Sequence, residues 1–186
     1  RFDNVTGVQT CALPILSDYH DHPAYLRALT EHVRASWAGH GRPDHTVLSF
    51  HGIPQSYADN GDTYRSRCEH TATLLADALG LGEEWTLSFQ SRFGPAQWLP
   101  PYTVDVLADL ASRDLGRVDV VCPGFAVDCL ETVDEIGREA ARHYHEHGGG
   151  DFRYVPALNA SPAHGLALAE VRSEEHTSEL QSHYRI

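Results

Sequence analysis

Two short stretches of the chain end an apolar run at a glycine turn and set a metal- or proton-handling side chain beside it. Leu48-Ser-Phe-His-Gly-Ile-Pro54 offers His51, and Cys122-Pro-Gly-Phe-Ala-Val-Asp-Cys-Leu-Glu-Thr132 offers Glu131. An imidazole and a carboxylate brought to one place could hold a divalent cation or move a proton. Behind Glu131 stand Glu135 and Glu139, each four residues on. In an α-helix a step of four overshoots a full turn by about 40°, so the three acids would share one face within about 80°. Like charges at that spacing repel by a few tenths of a kcal/mol per pair. A solvated acidic face and a cation-attracting ladder both explain the pattern.

Each residue also has a plainer reading. His51 could simply be satisfied by a backbone carbonyl at a strand end. The His-Gly of a hydrolase oxyanion loop would need a G-x-S-x-G nucleophile elbow, which this chain lacks. Glu131 could be a first-turn acid complementing a helix dipole. Trp98 and Phe125 could be packing anchors, or flat walls for a flat ligand. His143 and His147 drift too far round the helix to join the acids and suit its carboxyl end. His20 and His22 read as solvated, and Cys129 as a small buried filler.

The elements that must position these groups alternate. Helical spacing predicts helices over 21–37, 62–79, 101–112 and 130–147, and a last one from Pro162 to Val171. Inward positions include Tyr25, Leu26, Leu29 and Val33 in the first, Leu74, Leu75, Ala78 and Leu79 in the second, and Val106, Leu107 and Leu110 in the third. Between them, 45–51, 85–90, 117–122 and 152–155 read as strands, the third being β-branched enough for a buried parallel position. Strands separated by such helices imply βαβ crossovers. The expected fold class is α/β: a Rossmann-type three-layer α/β/α domain with a four-stranded parallel sheet. In such a sheet, ligands bind beyond the carboxyl ends of the strands, where both His51 and Glu131 fall.

Composition narrows the function. The chain is net −12, and all 14 of its basic residues are Arg. The acidity argues against nucleic acid. The absence of Lys excludes a P-loop or Schiff-base mechanism and fits a GC-rich bacterial genome. No apolar run approaches the roughly 20 residues that span a bilayer. Cys68, Cys122 and Cys129 have no C-x-x-C spacing, which suits a reducing compartment.

The two ends read as artefacts. Val5-Thr-Gly-Val-Gln-Thr-Cys-Ala-Leu-Pro-Ile15 can be encoded by a strand whose complement, one frame over, encodes Arg172 to Ser182. That relationship is expected of a translated sequencing adapter at both ends of an assembled fragment. Residues 1–15 and 172–186 are therefore set aside as poorly ordered tails, leaving 16–171 as the natural domain. Without the charged tail residues the net charge is about −11.

Five segments in order carry a resemblance. They are His51-Gly-Ile-Pro-Gln-Ser-Tyr-Ala-Asp-Asn-Gly-Asp62, Phe89-Gln-Ser-Arg-Phe-Gly94, Trp98-Leu-Pro-Pro-Tyr-Thr103, Cys122 to Thr132, and Pro156-Ala-Leu-Asn-Ala-Ser-Pro162. Across 16–171 the chain resembles the carboxyl-terminal half of proteobacterial-type ferrochelatases. The resemblance implies insertion of Fe²⁺ into protoporphyrin IX to make protoheme, the last step of heme biosynthesis. It puts the family's active-site histidine on His51 and its partner glutamate on Glu131. It gives Glu135 and Glu139, with those two, a role in handling metal, and sets Trp98 and Phe125 along the porphyrin cleft. It implies no cofactor beyond the Fe²⁺ substrate; any iron–sulfur cluster ligands are expected beyond Val171. It further implies a monomeric, cytoplasmic enzyme with no membrane span, peripheral membrane contact being left open. The amino-terminal half of the family is absent, so the fragment alone is expected to be inactive. A cobalt chelatase for a corrin precursor would be expected to carry histidine where Glu131 stands. A non-catalytic tetrapyrrole or metal carrier would leave the acid ladder without a purpose.

Overall fold

A computed structural model describes the backbone over residues 18–183 and side chains over 18–173. Helix α1 (Pro23–His40) leads into strand β1 (His45–His51), and a single-turn helix α2 (Gln55–Asp59) precedes α3 (Tyr64–Leu79). Strand β2 (Trp85–Gln90), helix α4 (Thr103–Ala111) and strand β3 (Arg117–Val121) follow. Next come α5 (Leu130–Val133), a π-helix over Glu135–Ala140, α6 (Ala141–Glu146), β4 (Asp151–Val155) and α7 (Pro162–His183). The four strands form one parallel sheet in the order β2-β1-β3-β4, as the alternation of elements predicts. No described helix is long and apolar enough to cross a membrane.

The layers follow from strand alternation. Leu48, Phe50, Phe89, Val121 and Val155 point to one face and pack with Leu29, Val33, Leu75 and Leu79 of α1 and α3, and with Ala167 of α7. Val47, Val118 and Val120 point to the other and pack with Leu107, Leu110, Ile136, Ala140 and Tyr144. A buried leucine or phenylalanine contributes about 1.5–3 kcal/mol through removal from water, so the two clusters clamp the sheet from both sides. Ala78, expected to face inward, is exposed, and Ala72 and Ala76 are buried on the inward face instead. On β3, opposite Thr46 near the start of β1, Asp119 is enclosed by Trp37, Arg117 and Arg153, with its carboxylate wholly buried.

Two elements differ from the sequence expectation. The single long helix expected over 130–147 is broken: the amides of Arg138 and Glu139 both donate to Asp134 O, at 3.1 and 2.9 Å. This is a π-type insertion, which often sits at functional sites. The step of four in α-geometry overshoots a turn, whereas in the wider π-turn it falls short, so the acids stay roughly aligned. Helix α7 runs on through His183, past the boundary expected at Val171. The 172–183 stretch is rich in good helix formers, with no glycine or proline to stop it. The amino-terminal tail, residues 1–15, lies outside the described residues.

Candidate functional site at the carboxyl rim of the sheet

The chain leaves β1 for β2 on one side and returns to β3 on the other, so strand order reverses between β1 and β3. That switch point is where an open α/β sheet forms its ligand crevice. His51 is the last residue of β1, and the loop that follows β3 leads to Glu131. Both line one open hollow of about 530 Å³, together with Trp98, Phe93, Leu130, Asp134, Glu135 and Glu139.

His51 is held at both ends. Its Nδ1 lies 2.6 Å from Gly52 O, an acceptor only, so Nδ1 carries the proton and Nε2 keeps its lone pair. Its carbonyl accepts from Tyr64 Oη at 2.9 Å. The plain reading of a carbonyl-satisfied histidine thus holds for one ring nitrogen only. Trp98 and Phe125 flank the ring, with centroids 6.4 and 6.3 Å away. Trp98 is anchored by Nε1 donating to Phe93 O at 2.8 Å and by bridging to Pro54. Gly52 makes this approach feasible: a Cβ there would lie 2.8 Å from Gln90 O and 3.1 Å from Trp98 Cε3.

Glu131 sits in the first turn of α5, half-exposed. Its carboxyl is held below the usual glutamate range, chiefly by a hydrogen bond from the Cys129 thiol. Its own backbone amide assists, and slight burial opposes. Cys129 is therefore not a buried filler. It is a partly exposed N-cap whose sulfur accepts from the N3 amide, while Thr132 Oγ1 accepts from the Cys129 amide at 2.9 Å.

Glu135 is anchored rather than free. The amide and hydroxyl of Ser91 donate to its two carboxylate oxygens at 2.6 Å each. Ser91 takes a positive φ of 63°, and this left-handed residue turns both donors toward the acid. Glu139 lines the same hollow and a second one of about 300 Å³ behind it, shared with Arg142 and His143. His143 thus joins the acids, contrary to the drift expected from uninterrupted α-geometry. The π-turn shifts the register. Among the described residues, no three of His51, Glu131, Glu135 and Glu139 bring ligand atoms within 4.8 Å of one another. They form a series along a wall, not a closed cage.

Sequence reasoning missed several positioning residues. Gln90, buried at the end of β2, donates from Nε2 to Glu131 O at 2.6 Å and accepts from Ser49 Oγ at 2.9 Å. Asp128 ties the loop after β3 to β4: it accepts from Tyr154 Oη (2.6 Å), Asn159 Nδ2 (2.8 Å), Ala157 N (3.0 Å) and Thr132 Oγ1 (3.2 Å). Burial tends to raise its carboxyl, but these donors outweigh it and hold the group below the usual range. Phe93 and Leu130, 84% and 78% exposed, extend an apolar rim round the hollow. Polar residues inside the strand runs carry no periodicity, so only three-dimensional pairing reveals them.

The site is thus a parallel α/β domain that brings an imidazole, a row of carboxylates and an aromatic rim together at its switch point. The family model for ferrochelatase matches residues 5–176, and the chain belongs to that family. It is 51% identical over 158 residues to the ferrochelatase of Methylococcus capsulatus, covering 84% of this chain and 49% of that protein. It is likewise 51% identical over 163 residues to the ferrochelatase of Nitrosomonas europaea, covering 87% of this chain and 43% of that one. The chain therefore spans less than half the length of these curated relatives.

Proposed function

We propose that this chain is the metal-handling half of a lyase that inserts Fe²⁺ into protoporphyrin IX and releases two protons, forming protoheme. The observation that carries this reading is His51 and Glu131 facing one hollow, with Glu135 and Glu139 continuing along its wall. Glu131, kept anionic by the Cys129 thiol and the first turn of α5, suits the role of holding the cation. Carboxylates in series then let a hydrated ferrous ion exchange water for protein oxygen step by step. His51, with Nδ1–H fixed on Gly52 O and Nε2 bare, suits the role of taking the pyrrole protons as metal enters. Trp98, Phe125, Phe93 and Leu130 would bear on the macrocycle and favour a geometry close to the metallation transition state. The intact protein would act as a cytoplasmic monomer, needing no cofactor beyond its metal substrate.

The test is a metallation assay on a completed gene, read by the porphyrin absorption change. His51→Ala and Glu131→Gln should each abolish Fe²⁺ insertion into protoporphyrin, and wild-type-like turnover in either sinks the assignment. The 186-residue chain alone should show no turnover. Preference for Co²⁺ with an early corrin precursor would transfer the reading to a cobalt chelatase.

A further inference from the structure

A second group of metal-ligating side chains lies away from the rim hollow, where the segment before α1 meets α3. His20, Asp21 and His70 each present one ligand atom within 4.8 Å of the others. We propose that these three residues form a second site, one that takes a divalent transition ion of the zinc or cobalt class, with water completing the coordination. The proposal stands independently of porphyrin metallation.

Three features favour it. The carboxylate of Asp21 lies between the two rings, with Oδ2 3.9 Å from His70 Nδ1, while His20, whose Nδ1 is taken by Asp18, has Nε2 left to ligate. A tetrahedral ion with bonds of about 2.0–2.2 Å needs ligand atoms roughly 3.3 Å apart. Small rotations of exposed side chains close that difference. The ligands are also held in place by other contacts: Thr71 Oγ1 donates to His20 O at 2.8 Å, which fastens the segment onto α3 one residue beyond His70. Finally, His20 Nδ1 is hydrogen-bonded to Asp18, which Arg67 grips at 2.6 Å. A carboxylate on the far nitrogen fixes a ligating imidazole's tautomer and orientation, an arrangement typical of metal-bound histidines. Arg67 neutralises Asp18, so Asp21 remains the anion facing the ion. Two imidazoles with one carboxylate favour zinc, cobalt, nickel or copper over calcium or magnesium, which prefer oxygen alone.

The experiment titrates the 186-residue chain with Zn²⁺ by calorimetry and with Co²⁺ by visible absorption. His51 and His143 are replaced by alanine to silence the rim hollow and the hollow behind it. One equivalent of either metal should bind, and Co²⁺ should develop ligand-field bands. His20→Ala, His70→Ala and Asp21→Asn should each weaken binding by at least about tenfold, and Asp18→Asn by about tenfold. Circular dichroism should be unchanged, since His70 and Asp21 are exposed. Undiminished affinity in either His20→Ala or His70→Ala overturns the proposal, as does the absence of any bound equivalent in the background protein.

Discussion

His51 and Gln90 are direct partners across the β1–β2 ladder, and the side chain of Gln90 donates to the carbonyl of Glu131. One strand pair thus sets both members of the site. The last rung of β1 aims the imidazole, while the residue beside it holds the backbone of the helix that carries the carboxylate. Its neighbour Ser91 then grips Glu135, so the end of β2 spaces the acids relative to the histidine.

Gln90→Leu should cost on the order of 1–3 kcal/mol, because Glu131 O loses its donor and Ser49 one partner in a buried setting. Urea unfolding of the 186-residue chain measures it. A cost under about 0.5 kcal/mol would show that the amide does not hold α5.

Gly52→Ala drives a methyl group into Gln90 O and the Trp98 ring. The backbone oxygen cannot yield as a flexible side chain would, so a loss of about 1–3 kcal/mol is expected, typical of overpacking. Trp98 fluorescence should shift as the indole is displaced. An unchanged midpoint and spectrum would contradict this packing.

Asp128 gives a pH signature. Its folded carboxyl is held below the ordinary range, so its contribution is present above about pH 4 and is lost as pH falls through the folded value. Asp128→Asn should destabilise at neutral pH by roughly 1.5–3 kcal/mol, the scale of hydrogen bonds to a charged group. Below about pH 4 the gap to wild type should narrow. Parallel stability curves down to pH 2 would rule this out.

Glu135→Gln replaces one carboxylate oxygen with an amide NH2, which the Ser91 hydroxyl can still accept, but both hydrogen bonds lose their charge assistance. A stability loss near 1 kcal/mol is expected, with weaker Fe²⁺ or Co²⁺ binding in the rim hollow by calorimetry. Full retention of both would mean that Ser91 does not position this acid.

The apolar periods of α1, α3 and α4 and the β-branched run of β3 made the layered sheet legible, since burial imposes those periods locally. His51 and Glu131 were visible because each lies near a glycine turn at the end of a strand-like run. The roles of Gln90, Ser91, Asp128 and Cys129 were not, because each acts on a residue that only strand pairing or loop closure brings near. The π-turn in Glu135–Ala140 was equally hidden: helix-forming residues say where a helix lies, but not that one extra residue shifts its register. The chain's own order of residues therefore settled the α/β class, the acidic character and the two rim groups, all set by local hydrophobic pattern. Folding decided how those groups face each other, because strand order, register and the buried contacts at the end of β2 depend on residues distant in sequence.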